Sequence, residues 1–318
     1  MNFLYPGILV VTGFLTGAVF TRLLIPVLKK KHTGQTIREE GPSSHQIKSG
    51  TPTMGGIAII AAVIFTCLVT GSATGEKPVI LLAFLAFGLL GFLDDYIKVI
   101  KKHNLGLRAW QKLAIQIVLS LIISMYQAYV SVPGTMVRIP AIDGFRDFGI
   151  WYVPFTAFVI VAMVNSVNLT DGLDGLAAGV TSITAFFFAI TGVMLGFSAG
   201  GGFCAALTGA CLGFLIFNRN PAKVFMGDTG SLALGGGLAV AAITMRMELY
   251  LPIAGFIYVA EALSVIIQVA GFKTTGKRVF KMSPLHHHFE LSGMSERKVV
   301  VMFWILTLIF CLAGLKLL

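Results

Sequence analysis

Leu89-Leu90-Gly91-Phe92-Leu93-Asp94-Asp95-Tyr96-Ile97-Lys98 decides how this chain folds. From Pro78 to Leu93 no residue is charged, and continuing the helix through Ile97, Val99 and Ile100 gives the roughly 20 residues that a bilayer crossing needs. The apolar run then ends in two carboxylates and an amine, which places chemistry at a membrane surface. Asp94 and Lys98, four apart, share a helix face, whereas Asp94 and Asp95 fan apart by about 100°. One carboxylate can meet a metal and the other a substrate. The competing reading is that these are solvated residues ending a span.

The remainder of the chain repeats the pattern. Its 318 residues are 56% hydrophobic and 12% charged, with a mean hydropathy of +0.86, which excludes both a soluble globular chain and a disordered one. Apolar windows predict ten spans, near 3–28, 52–70, 78–98, 111–130, 150–168, 176–195, 202–217, 230–246, 250–272 and 299–317. Packed together they form one domain over 1–318. The fold class is therefore an all-α integral membrane protein, a bundle of ten transmembrane helices. The segment before residue 26 lacks a basic leader and a cleavage site and reads as a retained first span. Cys67, Cys204, Cys211 and Cys311 lie inside apolar runs without C-x-x-C spacing and read as small core residues.

Strict alternation puts loops 29–51, 99–110, 169–175, 218–229 and 273–298 on one side. Eighteen Lys and Arg belong to that side, counting Lys98 and Lys112, against five on the other. The positive-inside rule makes the rich side cytoplasmic and leaves both termini outside. On the outer side, Pro133-Gly134, Pro140 and Asp143-Gly144 surround short β-favouring runs, which predicts a small extracytoplasmic hairpin. The net charge of +10 lies in these loops, so anionic lipid and anionic substrate, rather than nucleic acid, are the expected partners. Glu261, inside a span, must face the bundle or a wet cavity. Helix packing and a site role remain equal readings for it.

Every other unusual cluster falls in a cytoplasmic loop. Residues 45–56, His45-Gln46-Ile47-Lys48-Ser49-Gly50-Thr51-Pro52-Thr53-Met54-Gly55-Gly56, can present Lys48 and backbone N–H groups to phosphate. In Asn165-Ser166-Val167-Asn168-Leu169-Thr170-Asp171-Gly172-Leu173-Asp174-Gly175, the polar residues Asn168, Asp171 and Asp174 recur every third position and can line one face of a turn. A turn with Asp174 as a helix cap is the competing reading. Between Asn218 and Ser231, Phe225 invites base stacking and Asp228 invites Mg²⁺, with an N-cap role for Asp228 as the alternative. His286-His287-His288 is not zinc spacing, because adjacent helical residues point about 100° apart and no second His or Cys cluster exists; hydrogen bonding to phosphate suits it better.

At these motifs the sequence resembles the phospho-N-acetylmuramoyl-pentapeptide transferase family, within the polyprenyl-phosphate N-acetylhexosamine 1-phosphate transferase superfamily. The residues that carry the resemblance are Asp94-Asp95-x-x-Lys98, Asn165-x-x-Asn168-x-x-Asp171-Gly172-x-Asp174-Gly175, Phe225-Met226-Gly227-Asp228-Thr229-Gly230-Ser231 and Pro284-x-His286-His287-His288-Phe289-Glu290, the last resembling the version of the muramoyl-pentapeptide branch. It implies ten spans in the bacterial plasma membrane, a cytoplasmic active site, and transfer of phospho-MurNAc-pentapeptide from its UDP carrier to undecaprenyl phosphate, with UMP and lipid I as products. It further implies Mg²⁺ on Asp228, with Asn168 as a second metal candidate. By the same resemblance Asp94 and Asp95 would orient the acceptor phosphate or its partners Lys98 and Lys112, Phe225 would stack on uracil, and Asp174, with the backbone of Gly172 and Leu173, would read its edge. Lys48, Thr53, Asn165, Asn168, Asp171, Asn218, Gln268 and His286 to His288 complete the site. A homodimer is compatible with it. A sibling transferase of GlcNAc phosphate, lacking the triple His, and a transporter, whose ionisable residues would cluster at the bilayer midplane, are the alternatives.

Overall fold

A computed structural model of the chain describes residues 4–30, 50–71, 75–99, 106–142 and 144–318. The long helices are α1 (Leu4–Lys30), α2 (Gly56–Val69), α3 (Lys77–Val99), α4 (Ala109–Tyr129), α5 (Tyr152–Thr170), α6 (Leu176–Met194), α7 (Ser198–Asn218) and α8 (Gly227–Thr244). After the short α9 (Leu251–Ala254) come α10 (Phe256–Thr275), the seven-residue α11 (Leu285–Leu291) and α12 (Glu296–Lys316). Strands β1 (Met136–Arg138) and β2 (Phe145–Asp147) pair antiparallel, Val137 opposite Arg146, and form the predicted hairpin.

Eight of these helices are long and apolar enough to cross a membrane, so the chain is a helical, multi-pass membrane protein. The eight do not include two of the ten windows read from hydropathy, at α2 and α8. Helix α2 has 14 residues, about 21 Å at 1.5 Å per residue, short of a ~30 Å hydrocarbon core. Helix α8 begins Gly227-Asp228-Thr229-Gly230-Ser231 and carries Gly235-Gly236-Gly237, which dilute its apolarity. The window 250–272 is also interrupted, at Gly255, between α9 and α10.

Burial explains the composition of α8. Every residue from Thr229 to Thr244 is buried, so α8 is the central post and its small residues let neighbours close on it from all sides. Helix α1 is the opposite case, with Leu4, Ile8, Val11, Leu15, Val19 and Leu23 exposed along one face at helical spacing, as lipid requires.

Two close approaches fix the N-terminus of α8. A methyl group at Gly91 of α3 would sit 2.0 Å from the Asp228 carbonyl oxygen, and one at Gly56 of α2 would sit 2.2 Å from the Gly230 Cα. Only hydrogen fits at either place. The ends of α2 and α3 are thereby locked against residues 228–230, and all three bring their polar residues to one end of the bundle. The hairpin lies at the other end, where the Arg138 N–H donates to the Arg246 carbonyl and the Ala141 N–H to that of Leu317.

Candidate active site

The acidic end of α3 meets the beginning of α8. Asp95 is buried, and its carboxylate accepts from the Asp228 N–H (3.1 Å), the Thr229 N–H (2.9 Å) and the Thr229 hydroxyl (2.6 Å). Helix α8 therefore receives its cap from another helix, and the first-turn N–H groups that lack intrahelical acceptors are satisfied together with the positive end of the helix dipole. Such a cap is worth about 0.5–2 kcal/mol. Its position here also fixes the backbone that carries Asp228.

Asp94 and Asp228 share two cations. Lys98 Nζ lies 2.6 Å from Asp94 Oδ2 and 2.9 Å from Asp228 Oδ2. Lys112 Nζ, from the first turn of α4, lies 2.7 Å from Asp228 Oδ2 and 3.5 Å from Asp94 Oδ2. Asp94 also accepts the Leu107 N–H at 2.7 Å. The side chain of Asp94 is only 2% exposed whereas that of Lys98 is 37% exposed, so the cluster opens to solvent on the lysine side. Asn168, at the end of α5, donates from Nδ2 to Asp228 Oδ1 (2.7 Å) and to the Ser231 hydroxyl (2.8 Å). Two lysines and one amide thus hold both oxygens of Asp228.

Asp171 follows α5 directly. Its carboxyl is pushed up to about 8, first by burial and then by the like charges of Asp228, Asp95 and Asp174. Gly172 and Leu173 continue the turn, with Leu173 buried. Asp174 is buried as well, and its Oδ2 accepts from Asn220 Nδ2 (3.1 Å) and the Ala222 N–H (3.0 Å). Asn218 accepts the Gly175 N–H and donates to the Val224 carbonyl, so it ties the 171–175 turn to the loop that carries Phe225. Phe225 itself is half-exposed; its N–H donates to the Pro52 carbonyl, and the Gly55 N–H donates to its carbonyl. Thr53 is buried under the same junction, next to Gly227.

Two predicted residues stand apart from the carboxylates. Asn165 donates to Gln116 Oε1 (2.7 Å) and to the Val161 carbonyl, one turn deeper in the bundle. Gln268 on α10 accepts the N–H groups of Val279 and Phe280 and donates to the Phe280 carbonyl, so it pins the loop before α11. On α11, His286 is buried, His287 Nδ1 lies 3.1 Å from Glu290 Oε2, and His288 Nδ1 accepts the Lys281 N–H. His286 packs against Gly172, which joins α11 to the Asp171 turn. Lys48 lies outside the described residues.

Two residues that the motifs did not single out join this network. Glu296 accepts the Asp174 N–H and a proton of Asn220 Nδ2, and Arg297 grips the Asn220 side chain and carbonyl. In the sequence, Glu296 and Arg297 read only as charges at the start of a span, and nothing in their spacing refers to Asn220.

Among the described residues no three His, Cys, Asp or Glu side chains group as a metal site. A hard cation that keeps most of its waters needs fewer. The donors around Asp228 are carboxylate and amide groups without thiolate or imidazole, a set that suits Mg²⁺. Lys98 and Lys112 occupy the carboxylate oxygen that such an ion would claim.

Residues 78–246 match the model of glycosyl transferase family 4, and residues 48–60 match signature 1 of phospho-N-acetylmuramoyl-pentapeptide-transferase. The chain is 54% identical to the phospho-N-acetylmuramoyl-pentapeptide-transferase of Thermoanaerobacter sp. (strain X514), over 94% of each chain. It is 54% identical to that of Alkaliphilus oremlandii (strain OhILAs) over 96% of each, and 49% identical to that of Clostridium perfringens (strain 13 / Type A) over 95% of each. The chain belongs to the phospho-N-acetylmuramoyl-pentapeptide-transferase family. In this chain Asp94, Lys98, Lys112, Asn168 and Asp228 form the polar end of an otherwise apolar bundle.

Proposed function

We propose that this chain transfers phospho-MurNAc-pentapeptide from UDP-MurNAc-pentapeptide to undecaprenyl phosphate at the cytoplasmic face of the bacterial plasma membrane, giving lipid I for peptidoglycan synthesis. The observation that carries the reading is the pair of lysines shared between Asp94 and Asp228, at the end of a lipid-facing bundle in a chain of this family. An oxygen of the lipid phosphate attacks the phosphorus that bears the sugar; the bond from that phosphorus to the bridging oxygen breaks, and UMP leaves with that oxygen. Such a transfer requires mostly positioning and charge neutralisation.

Each part of the cluster has a share in this. Asp95 holds the α8 N-terminus and with it Asp228. Lys98 and Lys112 move from carboxylate to phosphate oxygens when substrate enters, because phosphate offers them a denser charge at the same distance. Asp94 retains their orientation. Mg²⁺, held by Asp228 with Asn168 beside it, would neutralise the diphosphate and stabilise the departing UMP. Phe225 stacks on uracil, Asp174 and the Gly172–Leu173 backbone shape the edge of that pocket, and Lys48, Thr53, Asp171 and the histidines border the diphosphate. The excess of Lys and Arg in the loops at this end supports a cytoplasmic orientation with both termini outside, α2 and α8 completing ten crossings.

The test is purified protein with UDP-MurNAc-pentapeptide and undecaprenyl phosphate in detergent, followed for UMP with Mg²⁺ and with EDTA. Mg²⁺-dependent release of UMP only when both substrates are present is the expected result. Release without the lipid, or turnover undiminished in EDTA, would refute the transfer or the metal respectively.

A further inference from the structure

Glu261 lies in α10 between Ala260 and Ala262 and is fully buried. An ionisable group buried inside a span costs up to about 2.5–3.5 kcal/mol on insertion scales, so something must meet it. What meets it is His286, 25 residues on, itself only 1% exposed. The His286 N–H donates to Glu261 Oε1 at 3.3 Å, and His286 Nδ1 lies 3.1 Å from Oε2. The 3.1 Å approach of Nδ1 to Oε2 is a close contact short of hydrogen-bond geometry, and neither of these atoms nor the other ring nitrogen, Nε2, has a hydrogen-bond partner. Nε2 faces Gly172, where an added methyl group would come within 2.2 Å of it, so the ring closes over the turn between Asp171 and Leu173.

A carboxylate beside one imidazole nitrogen favours the proton there and sets the direction of the other. We propose that Glu261 is a positioning residue for His286: it holds the ring proton on Nδ1 and sets Nε2 against the Gly172 turn, so that the ring fixes that turn, and with it Asp171 and Leu173, beside the sugar nucleotide during transfer. This rests on the transfer reading above. It gives a buried carboxylate outside the Asp94–Asp228 cluster a part in the same reaction, through one side chain. It also gives Gly172 a reason to lack a side chain, since any Cβ would displace the ring.

Glu261→Gln separates positioning from packing. The glutamine keeps the size and an acceptor for the His286 N–H, but its amide N–H₂ donates to Nδ1 and drives the ring proton to Nε2. The expected result is a fall in kcat of tenfold or more with KM for UDP-MurNAc-pentapeptide within twofold, partial recovery in Glu261→Asp, and no further loss when Glu261→Gln is added to His286→Asn. In ¹⁵N-histidine-labelled protein in nanodiscs, the ring pattern that disappears in His286→Asn changes from the Nδ1–H to the Nε2–H form in Glu261→Gln. An unchanged ring pattern, or a lowered Tm with unchanged kcat per folded molecule, would overturn the proposal and leave Glu261 as helix packing. Should the wild type fail to release UMP, the transfer reading falls, while the ring pattern still decides whether Glu261 sets His286.

Discussion

Charged side chains gather at both ends of this bundle, and the two gatherings are built on opposite plans. At the hairpin end, Arg246 is fully buried at the turn after α8, with φ of +57°. Its guanidinium donates to the Gly134 carbonyl (2.5 Å), the Tyr152 hydroxyl (2.6 Å), Ser131 Oγ (3.0 Å) and the Gln127 carbonyl (3.5 Å), and the Tyr152 hydroxyl donates onward to Glu248 Oε1 (3.1 Å). Four acceptors from three segments fix one rigid fork. At the other end, two flexible ammonium groups are shared by two carboxylates, and the side is open. Arginine suits the first task because its donors are planar and preset; lysine suits the second because its charge is compact and its stem mobile. The difference separates a joint from a site: donors with unique acceptors hold a fold, whereas donors with interchangeable acceptors can be passed to a substrate.

That contrast is most exposed to test at Asp228. Asp228→Asn should lower the rate of UMP release a thousandfold or more, about 4 kcal/mol, because the amide gives up the charge that lysines and metal need. Thermal unfolding should change little. Near-normal turnover would mean that the open cluster is a joint like the other. At the sealed end the expectation reverses. Arg246→Met should cost about 3 kcal/mol of stability by removing the cation near buried Glu248 and leaving four acceptors without their donor, while kcat per folded molecule remains that of the wild type; a selective loss of kcat would break the comparison from the other side.

Phe225 gives a smaller effect. Phe225→Ala should weaken uridine nucleotide binding by about 1–3 kcal/mol, the usual worth of a base stack, with kcat at saturation largely kept. Titration calorimetry with UMP measures it, and an unchanged Kd removes Phe225 from the pocket. The remaining effect is one of pH and concerns Asp171, whose carboxyl is raised from 3.8 to about 8 by burial and then by neighbouring carboxylates. Between those values the folded chain keeps a proton that the unfolded chain has lost, so stability falls as pH rises and the penalty is complete above about 8. In EDTA, Asp171→Asn should therefore raise Tm by a few degrees at pH 8.5 and leave it unchanged at pH 4. Equal shifts at both would deny the titration.

The legible part of the site was its inventory. Asp94, Lys98, Asn168 and Asp228 stood out because polar residues interrupt apolar runs, and the structure brings them within hydrogen-bond reach of one another or of the same lysines. What they do to one another was not legible. Asp95 differs from Asp94 by one position, yet one caps α8 and the other holds two lysines, because 100° of helix turn points them at different neighbours. Gln268 and Asn218, expected at the ligand by resemblance, also brace loops, and nothing in their spacing showed those bonds.

The sequence by itself determined the apolar segments, their boundary charges and the hairpin, since these follow from transfer free energies and turn propensities that act over some twenty neighbouring residues. It could not separate the central helix from the lipid-facing ones: α8 was scored by a hydropathy that its glycines dilute, although it is the most enclosed of all. Nor could it join Asp95 to Thr229, Lys112 to Asp228 or Glu261 to His286, pairs separated by 134, 116 and 25 residues. Those pairings depend on approaches of about 3 Å between different helices. Only the tertiary structure decides them, because packing at Gly91 and Gly56 sets the depth at which the helices meet, and a hydrogen bond lost over an ångström leaves no trace in composition or spacing.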